Sequence, residues 1–444
     1  MNRIEIRDFG PVQRAEIDMD KSFQVLIGVQ ASGKSTICKV VYFCQKTRDY
    51  TLDFLMDEQQ FSSNHPNEYY SAYLKYLTKK FMGCFGKTTH MQKFQIYYEF
   101  NGYRLKIALN HDGYVRFNFS EGLKAKIERL IDDAADIYGK GVEIDGHENL
   151  LLGEIMMLSL MRRRLSSSLN DIFGNDAQII YIPAGRSLLA TMSEQLQDLS
   201  LADMDLKMQE FITKIRTTKT KFGSKIPEIV KDYTKTVSGQ VKSGDLDQAY
   251  RLMKQILKAD YASESDGEKI YFDERHWVKL MYGSSGQQEV LWILMLIFIS
   301  ILEKKKSFIV IEEPEAHLFP IAQKDVVRLI ALLVNSTQSR VLITTHSPYI
   351  LTSLNILLYS DRIEGAVKNG NEPVVQKNMR VSYRLFDAYK VEKTAASDRG
   401  NTTISLLDED THLIDTSYID KVSEITNVEM DRLIDMELEL SNVS

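Results

Sequence analysis

The chain has 444 residues, 44% of them hydrophobic and 26% charged, with a formal net charge of −6. That is ordinary globular composition, long enough for two or three lobes, and it excludes a strongly basic nucleic-acid footprint, so any DNA contact must use a local patch. Its three cysteines, Cys38, Cys44 and Cys84, form no CxxC pair and no metal spacing, which points to a reducing cytosol.

The first residues are charged and alternating, unlike a signal peptide. Ile4–Ile6 and Ala15–Ile17 read as two strands joined at Gly10-Pro11. Phe23–Ile27 reads as a buried strand, followed by a glycine-rich loop and a helix from Ile37. Residues 50–86 are aromatic and polar and read as helices with irregular joints. Phe94–Phe100, Tyr103–Ile107 and Tyr114–Phe117, linked by Asn101-Gly102 and Asp112-Gly113, read as an antiparallel meander. Residues 121–170 look helical, Gln178–Ile182 is a strand closed by Pro183-Ala184-Gly185-Arg186, and residues 187–258 suggest a protruding helical lobe. A strand is expected within Tyr271–Leu280. The apolar run Val290–Leu302, between Glu289 and Glu303, is too short for a bilayer, which needs about 20 residues, and reads as a core helix. Strands at Ser307–Ile311 and Arg340–Thr345 flank a helix at Ile321–Leu333. The alternation implies an α/β chain with a parallel sheet and ligands at its strand ends. The expected division is residues 1–120, a mostly helical insertion over 121–268, and 269–444; a soluble, cytoplasmic protein with no membrane contact follows.

Gly28-Val29-Gln30-Ala31-Ser32-Gly33-Lys34-Ser35, with Thr36 next, fits the phosphate-binding loop pattern. The glycines let several backbone N–H groups face one anion, and the helix that follows adds the positive end of its dipole. Lys34 can reach the outer phosphates, and the Ser35 hydroxyl can ligate Mg²⁺. Hydrolysis also needs a metal anchor and a group that activates water. Glu312 and Glu313, delivered by an apolar strand, are the candidates for these two roles. His346, at the end of another strand, is a candidate sensor of the γ-phosphate.

The order of these motifs resembles the ABC-type ATPases of the SMC-like branch, which includes RecF and the overcoming-lysogenisation-defect proteins. The resemblance rests on Phe9-Gly10-Pro11, the phosphate loop, Ser284-Ser285-Gly286-Gln287-Gln288 in the signature position, Glu312-Glu313-Pro314-Glu315-Ala316-His317-Leu318, and Thr345-His346-Ser347. It implies an ABC-type head with mixed and antiparallel sheets, plus an inserted helical lobe. It also implies a homodimer or higher homo-oligomer that sandwiches ATP and Mg²⁺. Ser285 and Gly286 would then contact the partner's γ-phosphate, although they could equally cap the helix they begin. The chain departs from many relatives in having Glu-Glu for Asp-Glu and Ser-Gly-Gln-Gln for Ser-Gly-Gly-Gln. It has no clear Q-loop glutamine. The turn ending at Arg186 stands in that position, and Arg186 is a candidate nucleotide or interface contact.

The same resemblance extends to standalone ATPases of bacterial anti-phage systems such as Septu, some retrons and PARIS, and implies a separate effector, a nuclease. Only about 100 residues follow His346, with a strand-like Glu372-Pro373-Val374-Val375-Gln376 but without a Toprim-like acidic set, so no nuclease is expected in this chain. A RecF-like ATPase acting on DNA and a nucleotide switch with negligible turnover are the alternatives. Two basic groups, Arg162-Arg163-Arg164 and Lys214 to Lys225, either grip phosphate backbone or are solvated helix faces. Ile419, Val422, Ile425, Leu433 and Ile434 suggest an amphipathic C-terminal helix that closes the fold or docks a partner.

Overall fold

The computed structural model describes residues 2–91, 93–110, 112–140, 150–192, 200–202, 204–236, 243–363, 374–392, 403–416 and 427–434. The strands are β1 (Arg3–Phe9), β2 (Val12–Asp18), β3 (Phe23–Ile27), β4 (Gln95–Phe100), β5 (Tyr103–Leu109), β6 (Val115–Phe119), β7 (Gln178–Ile182), β8 (Asp260–Glu264), β9 (Gly267–Tyr271), β10 (Trp277–Lys279), β11 (Ser307–Glu312), β12 (Arg340–Thr345), β13 (Phe386–Val391) and β14 (Thr403–Ser405). The helices are α1 (Lys34–Leu55), α2 (Gln59–Ser62), α3 (Tyr69–Phe85), α4 (Glu121–Lys140), α5 (Leu150–Phe173), α6 (Ser187–Thr191), α7 (Leu206–Lys219), α8 (Ile226–Thr236), α9 (Ser243–Leu257), α10 (Ser285–Leu302), α11 (Pro320–Thr337) and α12 (Pro348–Arg362).

A six-stranded sheet runs in the order β14-β13-β3-β12-β11-β7. All its pairings are parallel except that of β13 with β14. Strands β3 and β11 are buried along their whole length, as a sheet covered on both faces requires. The period of two then divides their side chains between two cores. Val25, Ile309, Ile311 and Ile343 face the layer of α9 to α12. Leu26, Phe308, Val310 and Leu342 face α1 and the antiparallel sheet β2-β1-β4-β5-β6. The head is therefore α/β with mixed and antiparallel sheets, as the motif order implied.

Helix α10 explains itself from composition. Every residue from Glu289 to Leu302 is buried, and a helix apolar all round belongs inside a core. Among the described residues it alone is long and apolar enough to cross a membrane, and it is mostly buried. A capping box starts it: the Ser284 hydroxyl accepts from the Gln287 N–H, and the Gln287 side chain accepts from the Ser284 N–H.

Some elements differ from the sequence reading. The helices of 206–257 do not protrude: Phe211, Ile215, Leu246 and Met253 share one core with α10 and α11. Past them, β8, β9 and β10 form a three-stranded sheet of which only one strand was expected. Val374–Gln376 is not a strand, and Glu372 and Pro373 lie outside the described residues. Strand β13, which was not expected, completes the parallel sheet beside β3. Ile419, Val422 and Ile425 lie outside the described residues, whereas 427–434 is helical with Leu433 and Ile434 exposed.

Candidate functional site

The site forms where β3, β12 and β11 end side by side. The phosphate loop leaves β3, crosses residues 28–33 and enters α1 at Lys34, the strand–loop–helix order the motif needs. Gly28 lies so close to β13 that a Cβ there would come within 2.2 Å of the Val391 carbonyl oxygen. No other residue type fits without moving the loop or the strand. Val29, Gln30, Ala31 and Ser35 are exposed, Thr36 is half-buried, and Ser32 and Gly33 are buried. The buried Ser32 hydroxyl makes no hydrogen bond among the described residues.

Lys34 is buried, and its ammonium donates to the carbonyls of Gly28 (2.8 Å) and Val29 (3.0 Å). Burial lowers its pKa, against the attraction of Glu313, Glu315 and Glu312. The chain thus brings Lys34 and the three carboxylates at the end of β11 and in the loop after it into one electrostatic neighbourhood. Glu312, the last residue of β11, accepts from the Ala184 N–H through Oε2 at 3.2 Å, while its buried Oε1 makes no hydrogen bond among the described residues.

Glu313 takes a left-handed backbone conformation, φ 46°. In a non-glycine residue this stores strain of about 1–3 kcal/mol, which persists only where the surroundings over-determine it. Here the Glu313 N–H donates to the Thr344 carbonyl and hydroxyl of β12. The half-buried Glu313 carboxylate stands 3.3 Å from His346 Nε2. Glu315 stitches the same two strand ends together: its Oε1 accepts from the Thr345 hydroxyl (2.7 Å) and the His346 N–H (2.8 Å). Burial raises the Glu315 pKa.

Ser285 and Gly286 lie at the N-terminus of α10, and among the described residues no hydrogen bond joins them to their own phosphate loop. Ser284, not Ser285, makes the cap, so the exposed Ser285 hydroxyl is not consumed by it. A Cβ on Gly286 would stand 2.7 Å from the His317 carbonyl oxygen, which ties the start of α10 to the loop after β11.

The structure corrects the reading of Arg186 as a nucleotide or interface contact. Its side chain is 0% exposed and pairs with the buried Glu289 carboxylate of α10. The pairing was not legible: Arg186 ends a Pro-Ala-Gly turn, and Glu289 looked like the polar boundary of an apolar run. The basic groups are partly neutralised within the chain, Arg164 by Asp133, Lys219 by Glu268 and Lys221 by Glu303.

These residues fit a nucleotide with Mg²⁺. A basic loop at a helix N-terminus can take phosphates, and the exposed Ser35 hydroxyl with the orphaned Glu312 oxygen supplies the few hard oxygen ligands that Mg²⁺ takes from protein.

Fold and site together define a P-loop ATPase domain. The chain belongs to the AAA ATPase domain family, which matches residues 1–351. Among curated proteins none matches it. Among solved structures it is similar to an SMC head bound to the C-winged helix domain of ScpA, at 10% identity over 91% of this chain and 96% of that one, with a TM-score of 0.41. It is similar also to the SMC head domain from Thermotoga maritima, at 12% identity, 79% and 90% coverage and a TM-score of 0.34. A third is the SMC head domain with an extended coiled coil bound to the C-terminal domain of ScpA, from Pyrococcus furiosus, at 15% identity, 96% and 98% coverage and a TM-score of 0.36.

Proposed function

We propose that this chain binds and hydrolyses ATP, and that two copies close around the nucleotide to regulate a separate effector, a nuclease, in bacterial anti-phage defence. The observation that carries the hydrolytic part is the meeting of Lys34, Glu312, Glu313 and His346 at the carboxyl ends of β3, β11 and β12. Gly28 to Thr36 cradle the phosphates, and Lys34 neutralises their charge. Ser35 and Glu312 hold Mg²⁺, which when bound offsets negative charge on the phosphate oxygens. Glu313 takes a proton from the attacking water, and His346 keeps its carboxylate in place and faces the γ-phosphate.

The dimeric part is supported by Ser285, exposed at a helix N-terminus and not used as its cap. A second copy's phosphates would meet its hydroxyl and the Gly286 N–H. The effector and the cytoplasmic defence role rest on the ordered motifs shared with the standalone ATPases of such systems. Exposed Val428, Met430, Leu433 and Ile434 offer a surface for a partner.

The test is phosphate release by the purified chain, compared with Lys34→Ala, together with copurification of the protein encoded by the neighbouring gene. Lys34-dependent release and a copurifying nuclease support the reading. Release no greater than in Lys34→Ala makes the chain a nucleotide switch. Salt-sensitive duplex binding without a protein partner favours action on DNA.

A further inference from the structure

One buried side chain joins the backbone of Glu312 and Glu313 to the first turns of α10. Arg186 follows β7, and its guanidinium Nη1 donates to the carbonyls of Pro183 (2.7 Å) and Glu312 (2.6 Å). Its Nη2 donates to the Glu313 carbonyl at 3.0 Å. The left-handed Glu313 is therefore held by its carbonyl from the β7 side and by its N–H from Thr344 on the β12 side.

The other end of the arrangement is Glu289, on the first turns of α10. Its backbone carbonyl accepts from Arg186 Nε at 3.1 Å. Its carboxylate accepts from the N–H groups of Arg186 and Ser187, each at 3.0 Å, and lies 3.3 Å from Arg186 Nε. Glu289 is 2% exposed, four residues after Ser285 and one helical turn from it. A buried ion pair of this kind is weak evidence for stability, since well-packed apolar residues often do as well, so its retention calls for another reason.

We infer that Arg186 is a positioning residue for hydrolysis: with Glu289 it links the seating of α10, whose tip meets the partner's phosphates, to the backbone that aims Glu313. The inference rests on the proposed roles of Glu313 and Ser285. Rotation or translation of α10 moves Glu289, Glu289 moves the guanidinium, and the guanidinium sets the carbonyls on both sides of the strained residue. The planar fork matters, because one cation must reach four carbonyls and a carboxylate at fixed angles. A lysine keeps the charge and the pairing with Glu289 but cannot hold the Glu312 and Glu313 carbonyls together.

The experiment compares wild type, Arg186→Lys, Glu289→Gln and Glu313→Gln for melting temperature, nucleotide affinity, ATP-driven association and turnover. Arg186→Lys is expected to keep affinity and association while kcat falls about a hundredfold, the scale of an ångström misplacement of a catalytic group. Adding Arg186→Lys to Glu313→Gln is expected to cost nothing more, because both act through one carboxylate. A folded Arg186→Lys with wild-type kcat overturns the inference. So does a loss of affinity, association and turnover in parallel with the melting temperature, which marks a merely structural role. Should Arg186→Lys fail to fold, Glu289→Gln decides by the same readouts. Full turnover in Glu313→Gln removes the underlying reading of the site. A dead Glu313→Gln beside an active, folded Arg186→Lys removes the present inference alone.

Discussion

Glu313 Oε1 and His346 Nε2 stand 3.3 Å apart across the ends of β11 and β12. The contact joins a carboxylate on a strained backbone to an imidazole on the neighbouring strand end, so each fixes where the other points. Glu313→Gln should lower phosphate release by about 10²–10⁴, the usual contribution of a general base. ATP binding should persist, and an assembled ATP-bound species should accumulate in light scattering. Turnover near the wild-type rate would remove Glu313 from the role of base.

Adjacent serines should separate helix capping from assembly. Ser284→Ala deletes the N-cap of α10 and should cost about 1 kcal/mol in denaturant unfolding. Ser285→Arg should leave stability and single-subunit nucleotide affinity close to wild type, yet block ATP-driven association by placing a bulky cation where a partner's phosphate loop must sit. Association that survives this change counts against the sandwich.

Gly28→Ala tests the packing of the phosphate loop against β13. The added carbon would stand 2.2 Å from the Val391 carbonyl oxygen. The loop or the strand must shift, so nucleotide affinity measured by fluorescence titration should collapse, with a lower melting temperature. Wild-type affinity in this variant would show that the contact is slack.

Glu315 gives a pH signature. Burial raises its pKa above the ordinary 4.5, so the folded chain holds this proton more tightly than the unfolded one. Its stabilising contribution is complete below the unfolded value and is lost as pH rises through the folded value. Glu315→Gln removes that loss. Its melting temperature relative to wild type should therefore increase as pH rises above 4.5. A flat or falling difference would contradict the assignment.

The arrangement of the candidate site was legible because it is local. An apolar run delivers each of Lys34, Glu312 and His346 to the end of a strand, and parallel strands bring those ends together whatever lies between. The supports were not legible because they are distant. Arg186 and Glu289 are 103 positions apart, and each looks like ordinary surface polarity until the other is beside it. The short strand β13 has the broken burial pattern of a mixed-face segment and owes its place to pairing with β3. A glutamate opening a helix whose next thirteen residues are all buried was the one sequence signal that could have exposed the pair.

The family resemblance ends at residue 351, yet β13 begins at Phe386 and lies against β3. A protein cut at 351 would keep every motif and lose the neighbour on which Gly28 rests. It would also turn β3 into an open sheet edge, with unpaired backbone groups free to pair with other chains. The matched stretch and the folding unit do not share a border, and the second is the longer. Active fragments of this ATPase should therefore extend at least through Val391.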